Sequence, residues 1–418
     1  MGIDKSKLQP LKGFRDFLPE KMIIRNEAIR RLKSVFHKYG FEELQTPSVE
    51  YQEVLLGKYG EEAEKLIYLF KDPGGRDVGL RYDLTVPLAR VAASNLNLTL
   101  PFKRFQIQPV WRAENTQKGR YREVYQCDVD TIGSSSPISD AEILAVVHDT
   151  LKILEFPEFT IRVNSRGVLF SSMEKAGLAK DKWLTTIQTI DKLDKKEKSE
   201  VEKELSEKGL DNEQISNIFI VLEDAEPDDY LKKVFEIVQS MKLDQDHIIF
   251  DPRLARGLDY YTGPIFETVV TEPKIGSITG GGRYDKLMKS LGGPDLPAVG
   301  TTIGLDRAVD VIEDLGLWKN IPSTNSQVLV TIFSPELENN SLSVTEKLRE
   351  KGINTEVYLN TNVRLDKQLK YADKKGIKWL IVIGPEEVEK NTVILKNLET
   401  GHQEDIKLDD VVPKINNG

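Results

Sequence analysis

The sequence predicts an α+β protein: an antiparallel sheet flanked by helices and interrupted by a helical insertion at about 168–245, then a C-terminal α/β domain from about 326. Three observations carry this. Between 78 and 132 the strand-like pieces VGLRYDL, FKRFQIQPVWRAE and YREVYQCDVDTIG follow one another without interleaved long helices, the pattern of antiparallel sheet. From 168 to 245 the composition turns to charged helix formers such as DKLDKKEKSEVEKELSEKGL, which reads as helices with a solvated face. After the polar linker PSTNSQ (322–327) strands alternate with helices, the signature of a small α/β domain.

Taken in order, residues 20–40 place Ile24, Ala28, Leu32, Val35 and Phe36 at helical spacing, and Gly40 stops the run before the extended stretch FEELQTPSVEY. The strands of 78–132 come next, then the insertion. Strand character returns at 248–250, 265–271 and 298–304, followed by the helix LDRAVDVIEDLG. The sheet is therefore expected to resume after the insertion, giving one domain over 1–325. Residues 326–418 supply VLVTIF, a helix to Lys351, TEVYL, a helix from Arg364 to Lys375, and WLIVIG, an apolar run of the kind buried on both faces.

Composition excludes several classes. With 418 residues, 39% apolar and 30% charged, the chain is long enough for roughly two to three domains and too apolar for disorder. The single thiol, Cys127, rules out an intramolecular disulfide framework or a multi-Cys zinc site and fits a reducing, cytoplasmic setting. His37, His148, His247 and His402 stand apart in sequence, which argues against a local metal or Ser/His/Asp cluster. No apolar run approaches the roughly 20 residues that cross a bilayer, so no membrane association is expected. Gly2 and Ser6 match the loose acylation pattern of myristoylated proteins, one short enough to arise by chance. The net charge of −9 argues against indiscriminate nucleic-acid binding but leaves room for a local basic patch.

No G-x-x-x-x-G-K-[ST] loop is present, and Gly280, Gly281 and Gly282 lack dinucleotide-fold spacing. What remains is arginine beside acidic and aromatic residues on expected strands: WRAEN (111–115), GRYREVYQCDVD (119–130), LARGLDYYTG (254–263), GGGRYD (280–285) and GLDRAV (304–309). Any one such arginine reads as a surface ion pair. Together they put many polar groups on sheet faces, as a polar ligand cleft lined by phosphate-binding guanidiniums would. The glycine run fits a close backbone approach by a ligand, or a turn or bulge.

These residues resemble those of the histidine–tRNA ligases, class II aminoacyl-tRNA synthetases, and most closely the branch that includes the eukaryotic enzymes. Motif 1 is matched by GFEELQTPSVEY with Pro47, motif 2 by VWRAEN and GRYREVYQCDVD, and motif 3 by AVGTTIGLDRAV with Arg307. RYDLTVP (81–87) and the histidine-specific LARGLDYYTG complete the set, and the resemblance runs from LKGFRDFLPE to RLDKQLKYADKKGIKWLIVIG.

The resemblance implies a class II fold and a two-step reaction. Histidine and ATP, with Mg²⁺, give histidyl-adenylate and pyrophosphate, and the histidyl group then passes to the terminal adenosine of its tRNA. By motif match, Asp83, Leu84 and Thr85 would hold the α-amino group with Gln126 close by. Asp130 and Tyr261 would read the imidazole, and Tyr260 would shape the pocket. Arg112 and Arg256 would meet the α-phosphate from opposite sides, Glu114 and Arg120 would bind other parts of ATP, and Arg307 the bent triphosphate. Val124 stands where the family normally has an adenine-stacking Phe.

The chemistry agrees with these roles. Attack of a carboxylate on phosphorus builds charge on phosphoryl oxygens, which guanidiniums stabilise. A neutral imidazole offers one donor and one acceptor, which a carboxylate and a phenol can satisfy together, although a buried Tyr–Asp hydrogen bond within the sheet would use the same residues.

Residues 347–378 hold nine Lys/Arg against four acids, a net +5 in an acidic chain. Lys367, Lys370 and Lys374 share one face of the expected helix, either an RNA-phosphate patch or an ordinary solvated face. The resemblance makes this the anticodon-binding domain and motif 1 a homodimer interface. Two rival readings are a regulatory paralogue that associates with ATP phosphoribosyltransferase and a non-catalytic sensor of histidine or tRNA. The C-terminal domain and the histidine-specific motif speak against the first, and intact Arg112, Arg256 and Arg307 against the second.

Overall fold

A computed structural model describes residues 4–57, 66–116, 119–194, 196–256 and 260–417. Gly2, and residues 257–259 of the histidine-specific stretch, lie outside them. The chain divides into two compact units, Met1–Asp16 with Glu27–Trp318, and Phe17–Asn26 with Lys319–Gly418.

The first unit is built on eight strands. They are β1 (Glu42–Glu43), β5 (Phe102–Trp111), β6 (Glu123–Ile132), β7 (Thr160–Ser165), β8 (Ile248–Phe250), β9 (Pro264–Val269), β10 (Thr279–Arg283) and β11 (Ala298–Gly304). Their spatial order is β1-β5-β6-β11-β10-β9-β7-β8. All neighbours are antiparallel except the outermost pairs, β1 with β5 and β7 with β8. A separate three-stranded sheet joins β2 (Val49–Tyr51), β4 (Asp77–Leu80) and β3 (Leu69–Lys71). The first long helix, Pro19–Lys38, buries Ala28, Leu32, Val35 and Phe36, the spacing expected, and Phe36 packs on Phe105 of β5 with ring centroids 5.2 Å apart.

The run from 78 to 132 is not uninterrupted strand. Thr85–Ser94 is a helix whose residues Val86, Pro87, Leu88, Ala89 and Ala92 are buried. Pro87 falls in its first turn, where a missing N–H costs nothing, and Asp83 accepts the Val86 N–H at 2.9 Å in place of a preceding carbonyl. A second helix, Pro137–Ile153, was also absent from the expectation, although Ser136 capping Ile138 N and Pro137 at the first position are strong start signals.

The insertion comprises the helices Arg166–Lys175, Lys180–Ile190, Lys198–Glu207, Asn212–Glu223 and Asp229–Ser240. It is more than a solvated face, because Leu169, Ile187, Ile190, Val201, Leu205, Ile218 and Leu222 form a buried core of its own. That core includes Leu254, Ala255 and Ile265, so the segment leading into Arg256 is anchored by the insertion.

The second unit holds a five-stranded sheet. It comprises β12 (Val328–Val330), β13 (Thr355–Val357), β14 (Trp379–Val382), β15 (Thr392–Asn397) and β16 (Gln403–Lys407), in the order β13-β12-β14-β15-β16. β13, β12 and β14 are parallel, with all four residues of β14 buried as expected. β15 and β16 extend the sheet as an antiparallel hairpin that the strand–helix alternation did not anticipate.

Candidate active site

The site rests on the register of the large sheet. Opposite residues of antiparallel strands share a face, as do alternate residues along one strand. Arg104, Gln106 and Gln108 of β5 lie opposite Asp130, Asp128 and Gln126 of β6, which lie opposite Gly300, Thr302 and Gly304 of β11. Gly300 and Thr302 lie opposite Gly282 and Gly280, and Gly280 opposite Glu267. One face thus carries polar side chains at one end, a floor of glycines in the middle and Glu267 beyond. Val124 stands on the same face, and Tyr125 on the other, where its N–H donates to Asp306 at 2.8 Å.

The glycines of β10 lie in a strand, without the turn or bulge left open by the sequence. A Cβ on Gly280 would stand 2.7 Å from the Arg256 guanidinium, and one on Gly282 would stand 2.9 Å from the Tyr261 ring. A Cβ on Gly300 would collide with the Asp130 carboxylate. Each glycine is the ground over which a proposed ligand-binding side chain lies.

Of the arginines singled out, Arg283 lies on β10 and Arg307 on the helix that the sequence predicts, whereas Arg112 and Arg256 lie off the strands. Arg112 follows the end of β5, Arg256 lies in irregular backbone, as do Tyr260 and Tyr261, and Arg307 sits on the helix Leu305–Leu315. Arg256 is held by Glu267 at 2.6 Å and the Ser277 hydroxyl at 2.5 Å, with about 40% of its side chain exposed. Arg307 donates to the carbonyls of Gly119 at 3.0 Å and Ser277 at 2.7 Å. Arg112 donates to the Tyr82 carbonyl at 3.1 Å and covers the Tyr82 ring. Arg120 pairs with Glu114, which also accepts the Tyr82 hydroxyl at 2.7 Å.

Burial, then repulsion by Arg256, Arg112 and Arg120, holds the Arg307 guanidinium below its ordinary pKa. Burial alone would raise the Glu114 carboxyl, but the Arg120 and Tyr82 donors and nearby Arg112 bring it below the usual carboxylate range. Four guanidiniums therefore share one electrostatic neighbourhood, a place for a polyanion.

At the other end, Gln126 donates to the Thr302 hydroxyl at 3.1 Å, and its Oε1 is buried without a hydrogen bond among the described residues. Asp130 meets Arg104 at 2.8 Å and accepts the Tyr284 hydroxyl. Tyr260 and Tyr261 pack with ring centroids 4.3 Å apart and planes tilted by 45°, and burial pushes the Tyr261 phenol up to about 12. Burial likewise raises Asp128, to about 7, with Asp130 adding to the rise and Arg104 opposing it. Leu84 is fully buried and offers only its backbone, whose carbonyl accepts from Arg104 at 3.3 Å.

Arg104, Asp128, Glu267, Ser277, Tyr284 and Tyr82 were not singled out in the sequence. The alternating polar residues of KRFQIQ and the lone acid of PIFETV were the available signals. His148 and His247, isolated in sequence, meet with centroids 6.0 Å apart, but no group of three or more metal-ligating side chains occurs among the described residues. Lys367, Lys370 and Lys374 lie in the second unit, exposed on the helix Leu365–Lys375, with Ala372 buried on its other face.

Residues 13–308 match the family model described as histidyl-tRNA synthetase, and residues 327–418 the model described as anticodon binding domain. A histidine–tRNA ligase of Aeropyrum pernix is 40% identical over 97% of this chain and 97% of its own, and one of Gloeobacter violaceus 38% over 96% and 97%. The crystal structure of a histidyl-tRNA synthetase from a Nostoc species superposes with a TM-score of 0.86 at 29% identity, covering all of both chains.

Proposed function

The chain belongs to the histidyl-tRNA synthetase family, a class II aminoacyl-tRNA synthetase attaching histidine to tRNA, and from that premise we propose how its sheet face performs the reaction. The carrying observation is the glycine floor of β10 and β11 with four guanidiniums at one end and the Gln126–Asp128–Asp130 row at the other.

Histidine lies over the polar row. Asp83 and Thr85, with the Leu84 backbone and Gln126, hold its α-amino group. Asp130 and Tyr261 take the imidazole nitrogens, and Tyr260 closes the pocket. The α-carboxylate oxygen attacks the α-phosphorus of ATP, the bond to the β-phosphate oxygen breaks, and pyrophosphate leaves. Arg112 and Arg256 stabilise the charge on the α-phosphoryl oxygens, Arg307 holds the β- and γ-phosphates, and Glu114 and Arg120 hold the rest of the nucleotide against Val124. Mg²⁺ arrives with ATP, bound to its phosphates. In the second step a ribose hydroxyl of the tRNA attacks the histidyl carbonyl and AMP departs.

Residues 326–418, within the second unit, take the anticodon region of the tRNA, with Lys367, Lys370 and Lys374 contacting its phosphates. A homodimer working in the cytoplasm completes the reading, supported by Val49, Tyr51 and Phe70, exposed apolar residues of the small sheet. The regulatory-paralogue reading is not favoured, because relatives named histidine–tRNA ligase match nearly the whole chain.

Charging of unfractionated tRNA with each labelled amino acid tests this. Histidine alone should be incorporated, onto one tRNA species; charging with another amino acid, or formation of adenylate without transfer, would refute it.

A further inference from the structure

We propose that Arg104 is the positioning residue of the histidine pocket, tying its carboxylate wall to its backbone wall. The proposal rests on the assignment of Asp130 and the Asp83–Thr85 turn to histidine.

Arg104 is the third residue of β5 and has no exposed surface, so it cannot touch either substrate. A guanidinium withdrawn from water is costly unless its partners are well placed. Its Nη2 lies 2.8 Å from an Asp130 oxygen and 3.3 Å from the Leu84 carbonyl, and its Nη1 lies 3.4 Å from Gln106 Oε1. Arg104 and Asp130 stand directly opposite in the β5–β6 ladder, so the pairing follows from strand register.

The two partners belong to different walls. Asp130 is on the sheet floor, and its other oxygen accepts the Tyr284 hydroxyl. Leu84 immediately precedes the helix Thr85–Ser94, and the neighbouring Asp83 caps that helix through Val86. One side chain therefore sets the distance between the imidazole reader and the turn that holds the α-amino group. Arg81, the other arginine of that region with no exposed surface, spends its donors on the carbonyls of Thr46, Pro47 and Pro109 and on Gln108. It has no contact that could replace Arg104.

The test is histidine-dependent pyrophosphate exchange by the full-length protein, reading KM for histidine, KM for ATP and kcat, with thermal unfolding as the fold control. Arg104→Lys keeps the charge but cannot span both walls. It should raise the histidine KM about 10- to 100-fold, the scale of a misplacement near 1 Å, while the ATP KM stays within about twofold. A purely structural ion pair would lower Tm and leave that ratio unchanged, which would overturn the proposal. Asp130→Asn separates the two levels. If it leaves the histidine KM unchanged, the pocket assignment itself fails. If it raises that KM while folded Arg104→Lys does not, only the role of Arg104 fails. Should Arg104→Lys not fold, Arg104→Met combined with Asp130→Asn leaves no unpaired buried charge at this pair. The proposal expects the double variant to match the histidine KM of Asp130→Asn, and a further tenfold loss would overturn it.

Discussion

The cationic groups of the two units are held in opposite ways. In the first unit Arg112, Arg256 and Arg307 each donate to a backbone carbonyl or to a carboxylate and hydroxyl, and Arg120 pairs with Glu114. In the second unit Lys367, Lys370 and Lys374 stand exposed and meet no carboxylate among the described residues. Bond-making at phosphorus needs donors aimed at fixed points, so the ordering cost is met during folding. Contact with RNA phosphates tolerates adaptable point charges, so flexible lysines on a stable helix suffice. If the proposed roles hold, the difference teaches that guanidiniums held by fixed partners serve the chemistry and exposed lysines the polymer.

Arg256→Ala carries the largest expected effect. It should slow single-turnover adenylate formation by about 10²- to 10³-fold, the scale of one lost charge-stabilising donor, with a smaller effect on transfer from preformed adenylate. Equal losses in both steps would make Arg256 a structural residue. Replacing Lys367, Lys370 and Lys374 together by Ala should do the converse. The KM for tRNA should rise about tenfold and the salt dependence of tRNA binding should flatten by up to about three in log–log slope, with pyrophosphate exchange unchanged. An unaltered salt slope would mean that these lysines form only a solvated face.

Val124→Phe sharpens the account within the first unit. Val124 shares the face of Gln126 and Asp130 but lacks a π-surface, and base–aromatic stacking is worth about 1–3 kcal/mol. The ATP KM should fall several-fold with that for histidine nearly unchanged; weaker ATP binding in a folded variant would remove adenine from position 124.

The smallest effect concerns stability. Asp128 is raised to about 7 by burial, with Asp130 adding to it, so the folded state holds this proton more tightly than the unfolded chain does. Its contribution is therefore fully present below the unfolded pKa near 4 and is lost as pH rises through about 7. Asp128→Asn, which mimics the protonated form, should leave Tm unchanged near pH 4 and raise it at pH 8, read by calorimetry. An equal shift at both pH values would contradict the buried-proton account.

What was legible followed from periodicity. Gln126, Asp128 and Asp130 alternate with Cys127 and Val129 on a strand, which announces a polar sheet face, and LDRAVDVIEDL reads as a helix ended by Gly316 in the left-handed region. What was not legible depends on pairing. Nothing local tells that Arg104 will face Asp130, since that needs the β5–β6 register, nor that Arg256 will lie across Gly280. Thr85–Ser94 escaped because its ten residues, with Pro87 inside, sit among strand-like neighbours. The hairpin β15–β16 carries the alternation of TVILKN, buried at every second residue, but strand–helix alternation alone does not announce an antiparallel pair.

On the proposed roles, one sheet face selects histidine and activates it with ATP. The most direct test is exchange of labelled pyrophosphate into ATP, measured with each of the natural amino acids in turn. Buried polar readers reject ligands that leave them unpaired, so exchange should require histidine and be at least hundreds-fold weaker with any other. Comparable exchange with a second amino acid, or none with histidine, would contradict the account.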